Sequence, residues 1–145
     1  MNMKKKINKL KRWHDTNNPF AIATALGIEV IFEELGTING YYNRLLRMKQ
    51  IHINHNVEKH MQKFTCAHEL GHAILHPNAN TPFLRNNTLL SVDKLEIEAN
   101  EFAMELLIPN EIILENVYLT SEQLSRLLGY QQDLIELRLA SFNNY

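Results

Sequence analysis

The sequence predicts an α+β fold: a small antiparallel sheet of about three strands packed on helices, with a helical C-terminal tail. Three observations predict it. IEVIFEEL, residues 28–35, alternates with β-branched residues, and two more strand-like runs follow by residue 54. Two long stretches of helical spacing follow, each stopped by a proline, and 119–142 then hold two short helical segments around a glycine. With 145 residues, no repeats and no linker, the chain reads as one domain over 1–145, with a core to about 110 and a helical segment over 111–145.

Each element has its own signal. MNMKKKINKLKRWH places Ile7, Leu10 and Trp13 at helical spacing among six basic residues, so it reads as a basic amphipathic helix packed on the domain. A docking patch for an acidic partner is its rival reading. Asn18-Pro19 supplies a cap and a first-turn proline for PFAIATAL, which Gly27 closes. IEVIFEEL reads as a strand, Gly36, Asn39 and Gly40 as a turn, and YYNRLL and KQIHIN as two further strands. Asn56 is the expected cap of a helix over 57–76 that ends before Pro77. PNANTPFLRNNT lacks periodicity and reads as a loop, followed by a helix over 92–108 that stops before Pro109. Thr120 and Gln123 match a capping box, and Gly129 separates the last two helices.

Composition narrows the function classes. Residues are 45% hydrophobic and 21% charged with a formal charge of −1, so the overall field favours neither direct nucleic-acid binding nor an anionic membrane. No stretch is apolar for long enough to span a bilayer or serve as an export signal. The single cysteine, Cys66, rules out an internal disulfide and a cysteine-rich zinc framework, and a cytoplasmic location is the expectation. Its place on the helical wheel makes Cys66 a small buried residue facing away from the site described next.

That site is carried by FTCAHELGHAILH, residues 64–76. Its H-E-x-x-H pattern puts His68 and His72 one helical turn apart, about 6 Å along the axis, where two imidazoles reach one ion. Glu69 lies about 100° round the helix, beside the ion, placed to take a proton from a water held there. This is the chemistry of zinc hydrolysis, and core histidines with a surface glutamate are the bland alternative. His60 and His76 each stand eight residues from one of the pair, about 12 Å away on a straight helix, too far to share the ion. His76 instead reads as a helix-end residue or a group that supports a ligand from behind. A third ligand must come from DKLEIEANEFAMELLIP. Glu98, Glu101 and Glu105 share one sector and read as a solvated acidic face. Glu96 points the other way, among Ala99, Ala103 and Leu107, with Asn100 on the same side to hold a ligand in place. A capping box over Asp93–Glu96 would instead turn Glu96 back on the helix start, leaving Glu98 as ligand. Two histidines and one glutamate leave a fourth zinc position open, as catalysis requires, and manganese or iron also suit such donors. Gly71, Ala99 and Ala103 are small enough to let the two helices approach.

FTCAHELGHAILH followed by EIEANEFAMELLIP resembles the paired signature of the ImmA/IrrE family of small bacterial and phage metallopeptidases, whose second motif runs E-x-x-A-N-x-F-A-x-x-L-L-x-P. The likeness runs from about residue 17 to 110. It implies a zincin-like minimal metallopeptidase domain, a zinc ion held by His68, His72 and Glu96, and Glu69 as general base. It further implies that the substrate is a helix-turn-helix repressor, cleaved to release phage, mobile-element or stress genes. In zincins an extended substrate adds to a strand edge beside the metal, so the strand over 41–46 or that over 49–54 is expected to present it, with 77–90 bordering the cleft. Tyr41, Tyr42 and His76 are the candidates for stabilising an oxyanion.

Two other classes compete. A metal-bound protein that sequesters a repressor without cutting it would carry the same ligands. A DNA-binding module could use the two helices around Gly129, but the second offers Gln131, Gln132, Asp133 and Glu136 against one base, Arg138.

Overall fold

A computed structural model describes residues 3–81 and 89–143. Among them are seven helices and one three-stranded sheet, α+β as expected. We number the elements α1 (Met3–His14), α2 (Pro19–Ala25), β1 (Glu29–Glu33), β2 (Gly40–Leu45), β3 (Met48–Asn54), α3 (Lys59–Leu75), α4 (Leu89–Leu107), α5 (Asn110–Glu115), α6 (Ser121–Leu128) and α7 (Gln132–Asn143). No helix among the described residues is long and apolar enough to cross a membrane.

The basic start forms α1, which buries Ile7 and lays Met3 and Leu10 against the core; the side chain of Trp13 lies outside the described ones. In α2 the Phe20 N–H donates to Asn18 Oδ1 at 3.0 Å, with Pro19 in the first turn, as the sequence predicts. The capping box of Thr120 and Gln123 is also present, and Gly129 takes the left-handed conformation that ends α6.

The sheet is mixed where the sequence predicts an antiparallel one. Its order is β1-β3-β2, with β1 parallel to β3 and β2 antiparallel to β3. The hairpin β2–β3 is there, but β3 inserts between its two predecessors, so the connection from β1 must pass to the far edge. The Asn54 side chain anchors that connection by donating to the carbonyls of Gly36 and Ile38, at 3.1 and 3.0 Å. A central β3 explains why Ile51, His52, Ile53 and Asn54 are all buried despite the alternation of strand side chains.

Centrality also removes β3 as a substrate-docking edge, leaving β2. The outer side of β2 is already engaged by 77–81: the Tyr42 N–H donates to Thr81 Oγ1 at 2.7 Å and the Arg44 N–H to Asn80 Oδ1 at 2.8 Å. Of the expected loop at 77–90, residues 82–88 lie outside the described ones.

Three helix expectations change as well. Asn56 does not cap α3; Glu58 occupies that position without a side-chain bond, while Asn56 binds Glu34. The second long helix is already formed at Leu89, so Asp93–Glu96 sits in its interior and is no capping box. The acidic face is not uniformly solvated. Glu105 is buried against Arg138 and Ser141 of α7, and Glu98 turns to His76. A helical wheel of α4 alone cannot show that α7, far along the chain, packs over that sector.

The sheet rests on α3, and α3 packs on α4. At the start of β2, a Cβ on Gly40 would lie 2.4 Å from the His52 carbonyl oxygen and 2.6 Å from Thr65 Cγ2, so only glycine lets the strand close on α3. We expect Gly40→Ala to lower stability by about 1–3 kcal/mol through this overpacking. Urea unfolding should show a lower midpoint with an unchanged slope; an unchanged midpoint would mean that the strand end yields freely.

Candidate metal centre

The mid-helix residues of α3 are buried on all sides, since the sheet covers one flank and α4 the other; His68, Glu69 and His72 are 6%, 1% and 0% exposed. Polar groups so placed must find partners. Glu96 of α4 reaches between the two imidazoles. Its Oε2 lies 3.0 Å from His68 Nε2 and its Oε1 2.8 Å from His72 Nε2. One atom from each of the three residues can be chosen so that all lie within 4.8 Å of one another. Two nitrogens and a carboxylate oxygen at such spacing suit a four-coordinate ion with one position left over.

The far sides of the rings are held too. Asn100 Oδ1 accepts from His68 Nδ1 at 2.8 Å, which leaves the lone pair of a neutral ring on Nε2, facing Glu96. His72 Nδ1 lies 3.0 Å from His76 Nδ1, and His76 Nε2 lies 3.4 Å from Glu98 Oε1. With Nε2 of His72 directed to an ion, its Nδ1–H donates to His76, whose own proton then sits on Nε2 toward Glu98. Thus His76 stands behind His72, and Glu98 lies beside His76 without a hydrogen bond to its Nε2.

The charges respond to this arrangement. Burial opposes charge on His68, but the Glu96 hydrogen bond and the Glu69 and Glu96 carboxylates outweigh it and raise its pKa. At His72 burial wins and the pKa falls; burial lowers that of His76 as well. Glu96 is pushed up by its partial burial, but bonds from both histidines and their charge hold it far below the usual carboxylate range. Burial pushes the Cys66 thiol up to about 12, in keeping with an inert core residue.

A cleft of about 190 Å³ opens onto this group, with Asn39 and Gly40 on one side, Phe64, Thr65, His68 and Glu69 on its floor, and Glu96 and Asn100 opposite. Glu69 Oε2 lies 3.9 Å from His68 Nε2, while its Oε1 accepts from Thr81 Oγ1 at 3.3 Å. None of the three oxyanion candidates lines the cleft. The Tyr42 hydroxyl donates to the Pro77 carbonyl at 2.7 Å, Tyr41 stacks on His52 with ring centroids 4.3 Å apart, and His76 is committed to His72. His60 lies elsewhere, with Nε2 3.1 Å from the Gly129 carbonyl. Thr81 escaped the sequence reading because it sits in a stretch without periodicity. Glu98 was visible, but its direction was not.

Protons and an ion held by these residues would compete for the same two Nε2 atoms. Because the pKa of His68 is raised, it holds its proton to higher pH than an ordinary imidazole, so metal affinity should weaken as pH falls, starting above the usual imidazole range. Elemental analysis after dialysis should find the ion lost in Glu96→Ala. Chelator competition should show it held about 10- to 100-fold more weakly in Asn100→Ala, whose oxygen positions His68. Full retention in Glu96→Ala would remove that residue from the ligand set.

The family model described as the IrrE N-terminal-like domain, a peptidase family, matches residues 23–139. The chain is 40% identical over 147 residues to the uncharacterized immunity region protein 2 of Bacillus phage phi105, an alignment spanning 99% of this chain and 93% of the phage protein. It is 33% identical over 144 residues to Metallopeptidase ImmA of Bacillus subtilis strain 168, covering 98% of this chain and 78% of that one. Two helices that bring a histidine pair and a glutamate together therefore belong to a known lineage: the chain is a member of the ImmA/IrrE family of metallopeptidases.

Proposed function

We propose that this protein is a zinc-dependent endopeptidase, with His68, His72 and Glu96 as ligands and Glu69 as general base. The observation that carries the reading is the Glu96 carboxylate lodged between two imidazole Nε2 atoms, with Glu69 beside them at the floor of one cleft. Zinc, when bound, would make a water nucleophilic near neutral pH and polarise the peptide carbonyl; the donor set also admits manganese or iron. His68 and His72 hold their Nε2 atoms toward Glu96 because Asn100 and His76 engage the opposite nitrogens. Glu69 would receive the proton at Oε2, the oxygen nearer the ligands, and pass it to the leaving amine.

We take the whole chain as one metallopeptidase domain, with 1–110 as the catalytic core and 111–145 as a brace. The substrate we propose is a helix-turn-helix repressor in the cytoplasm, cleaved so that phage, mobile-element or stress genes are released. Support comes from the family membership and from the phage relative, named for an immunity region. Direct DNA binding through α6 and α7 is disfavoured, because Arg138, the base of the second helix, is buried with its guanidinium on the Ile108 carbonyl and Asn110.

The test is to incubate the zinc-loaded protein, wild type beside Glu69→Gln, with repressors encoded near it and to follow the fragments by mass spectrometry. We expect cleavage by the wild type and at least a 100-fold loss in Glu69→Gln, on the order expected when a general base is removed, with zinc content unchanged. Repressor binding without cleavage by the wild type would favour a sequestering protein. Cleavage that survives Glu69→Gln would take the general-base role from that residue.

A further inference from the structure

A general base works only if the correct oxygen faces the reacting water, and a carboxylate has two. Glu69 is 1% exposed, and its oxygens meet different surroundings. Oε2 lies 3.9 Å from His68 Nε2, on the side of the candidate ligands, whereas Oε1 lies 3.3 Å from the hydroxyl of Thr81. Thr81 is itself fully buried, at 0% exposure, and comes from the segment that follows α3.

The position of that hydroxyl is over-determined. Thr81 Oγ1 accepts the Tyr42 N–H at 2.7 Å, and the Tyr42 carbonyl stands 3.0 Å away as a second possible acceptor for its proton. The segment leading to it is pinned along β2 by three more bonds. The Tyr42 hydroxyl donates to the Pro77 carbonyl at 2.7 Å, Arg44 Nη1 to Asn78 Oδ1 at 2.6 Å, and the Arg44 N–H to Asn80 Oδ1 at 2.8 Å. The hydroxyl has one proton to give. A general base must carry its charge, and on that reading the Glu69 carboxylate is a stronger acceptor than a peptide carbonyl; accepting the Tyr42 N–H also polarises the hydroxyl as a donor.

We propose that Thr81 is a positioning residue for the reaction: its hydroxyl, held by the outer edge of β2, ties down Oε1 of Glu69 so that Oε2 is the oxygen presented to the cleft. This rests on the reading of Glu69 as general base. It gives the outer edge of β2, whose Tyr42 and Arg44 amides are already bonded to Thr81 and Asn80, the task of holding Thr81 in place. The sheet, the segment 77–81 and α3 are thereby joined at one carboxylate.

The experiment compares Thr81→Val, which keeps the shape and removes the hydroxyl, with Thr81→Ser, which keeps the hydroxyl and removes the methyl. Both are made in the full zinc-loaded chain. Steady-state kinetics use a quenched-fluorescence peptide chosen from a mixed peptide library for cleavage by the wild type. In parallel, the side-chain carboxyl 13C resonance of Glu69, assigned through Glu69→Gln, is followed at fixed pH. We expect Thr81→Val to keep its zinc and its KM while kcat falls about 10- to 100-fold, the usual cost of removing a group that orients a site residue. Its Glu69 resonance should move, and Thr81→Ser should return both kcat and resonance to near wild type. Wild-type kcat and resonance in Thr81→Val would overturn the proposal and leave Thr81 as a closure of the sheet edge. A raised kcat/KM in Thr81→Val would overturn it too, by making the residue an obstruction. A serine variant as impaired as the valine one would reduce the effect to packing of the methyl. Should the wild type cleave no peptide, the peptidase reading is left to the repressor assay, and the resonance comparison decides whether Thr81 holds Glu69.

Discussion

The close approach of α3 to α4 at Gly71 is the constraint on which the site depends. Gly71 lies in the turn between the two histidines, and a Cβ there would stand 3.1 Å from Cβ and Cδ1 of Phe102. Ala99 and Ala103, both fully buried, keep the facing side of α4 equally low. Interiors are packed closely enough that even one methylene must be accommodated by movement. Metal–ligand bonds of about 2.0–2.2 Å tolerate little of it. Small residues at this contact are therefore what lets Glu96 share a space with His68 and His72.

Burying two imidazoles and the Glu69 carboxylate in so small a protein makes sense only because each is met by a specific partner. Asn100 takes the second nitrogen of His68, His76 that of His72, and Thr81 one oxygen of Glu69. Half-satisfied buried networks are destabilising, whereas satisfied ones are rigid and define geometry. Rigidity is what a hydrolytic site needs, since its groups must be in place before substrate arrives. The same network crosses three elements, α3, α4 and the segment beside β2, so the site is a product of their packing and not of α3 alone.

The C-terminal helices contribute from the other side of α4. Arg138 of α7 is 2% exposed and donates to the Ile108 carbonyl and Asn110 Oδ1, at 2.8 and 2.7 Å, while its Nη1 lies 3.5 Å from Glu105 Oε1. These bonds tie the end of α4 to the tail. Removing one member of such a buried pair leaves an uncompensated charge, typically at a cost of about 3–5 kcal/mol. A helix pair that resembles a DNA-reading motif in sequence is here a brace for the helix that carries Glu96.

Local signals determined much of this by themselves. The helix-start chemistry of Asn18-Pro19 and of Thr120 with Gln123, the strand signals within 28–54 and the one-turn spacing of His68 and His72 all depend on neighbours a few residues away, and they are realised as read. The direction of Glu96 was also legible, because a carboxylate among Ala99 and Ala103 must face another element. Tertiary structure alone decided the rest. Strand order depends on which edge β3 pairs with, and alternation within a strand is the same for either order. The fate of Glu98 and Glu105 depends on His76 and Arg138, brought near by packing across helices that a wheel treats singly. Thr81 meets Glu69 only because Tyr42, 39 residues back along the chain, offers the amide that holds it. Periodicity reports which face of an element is buried; it carries no information about what lies on the other side of the contact.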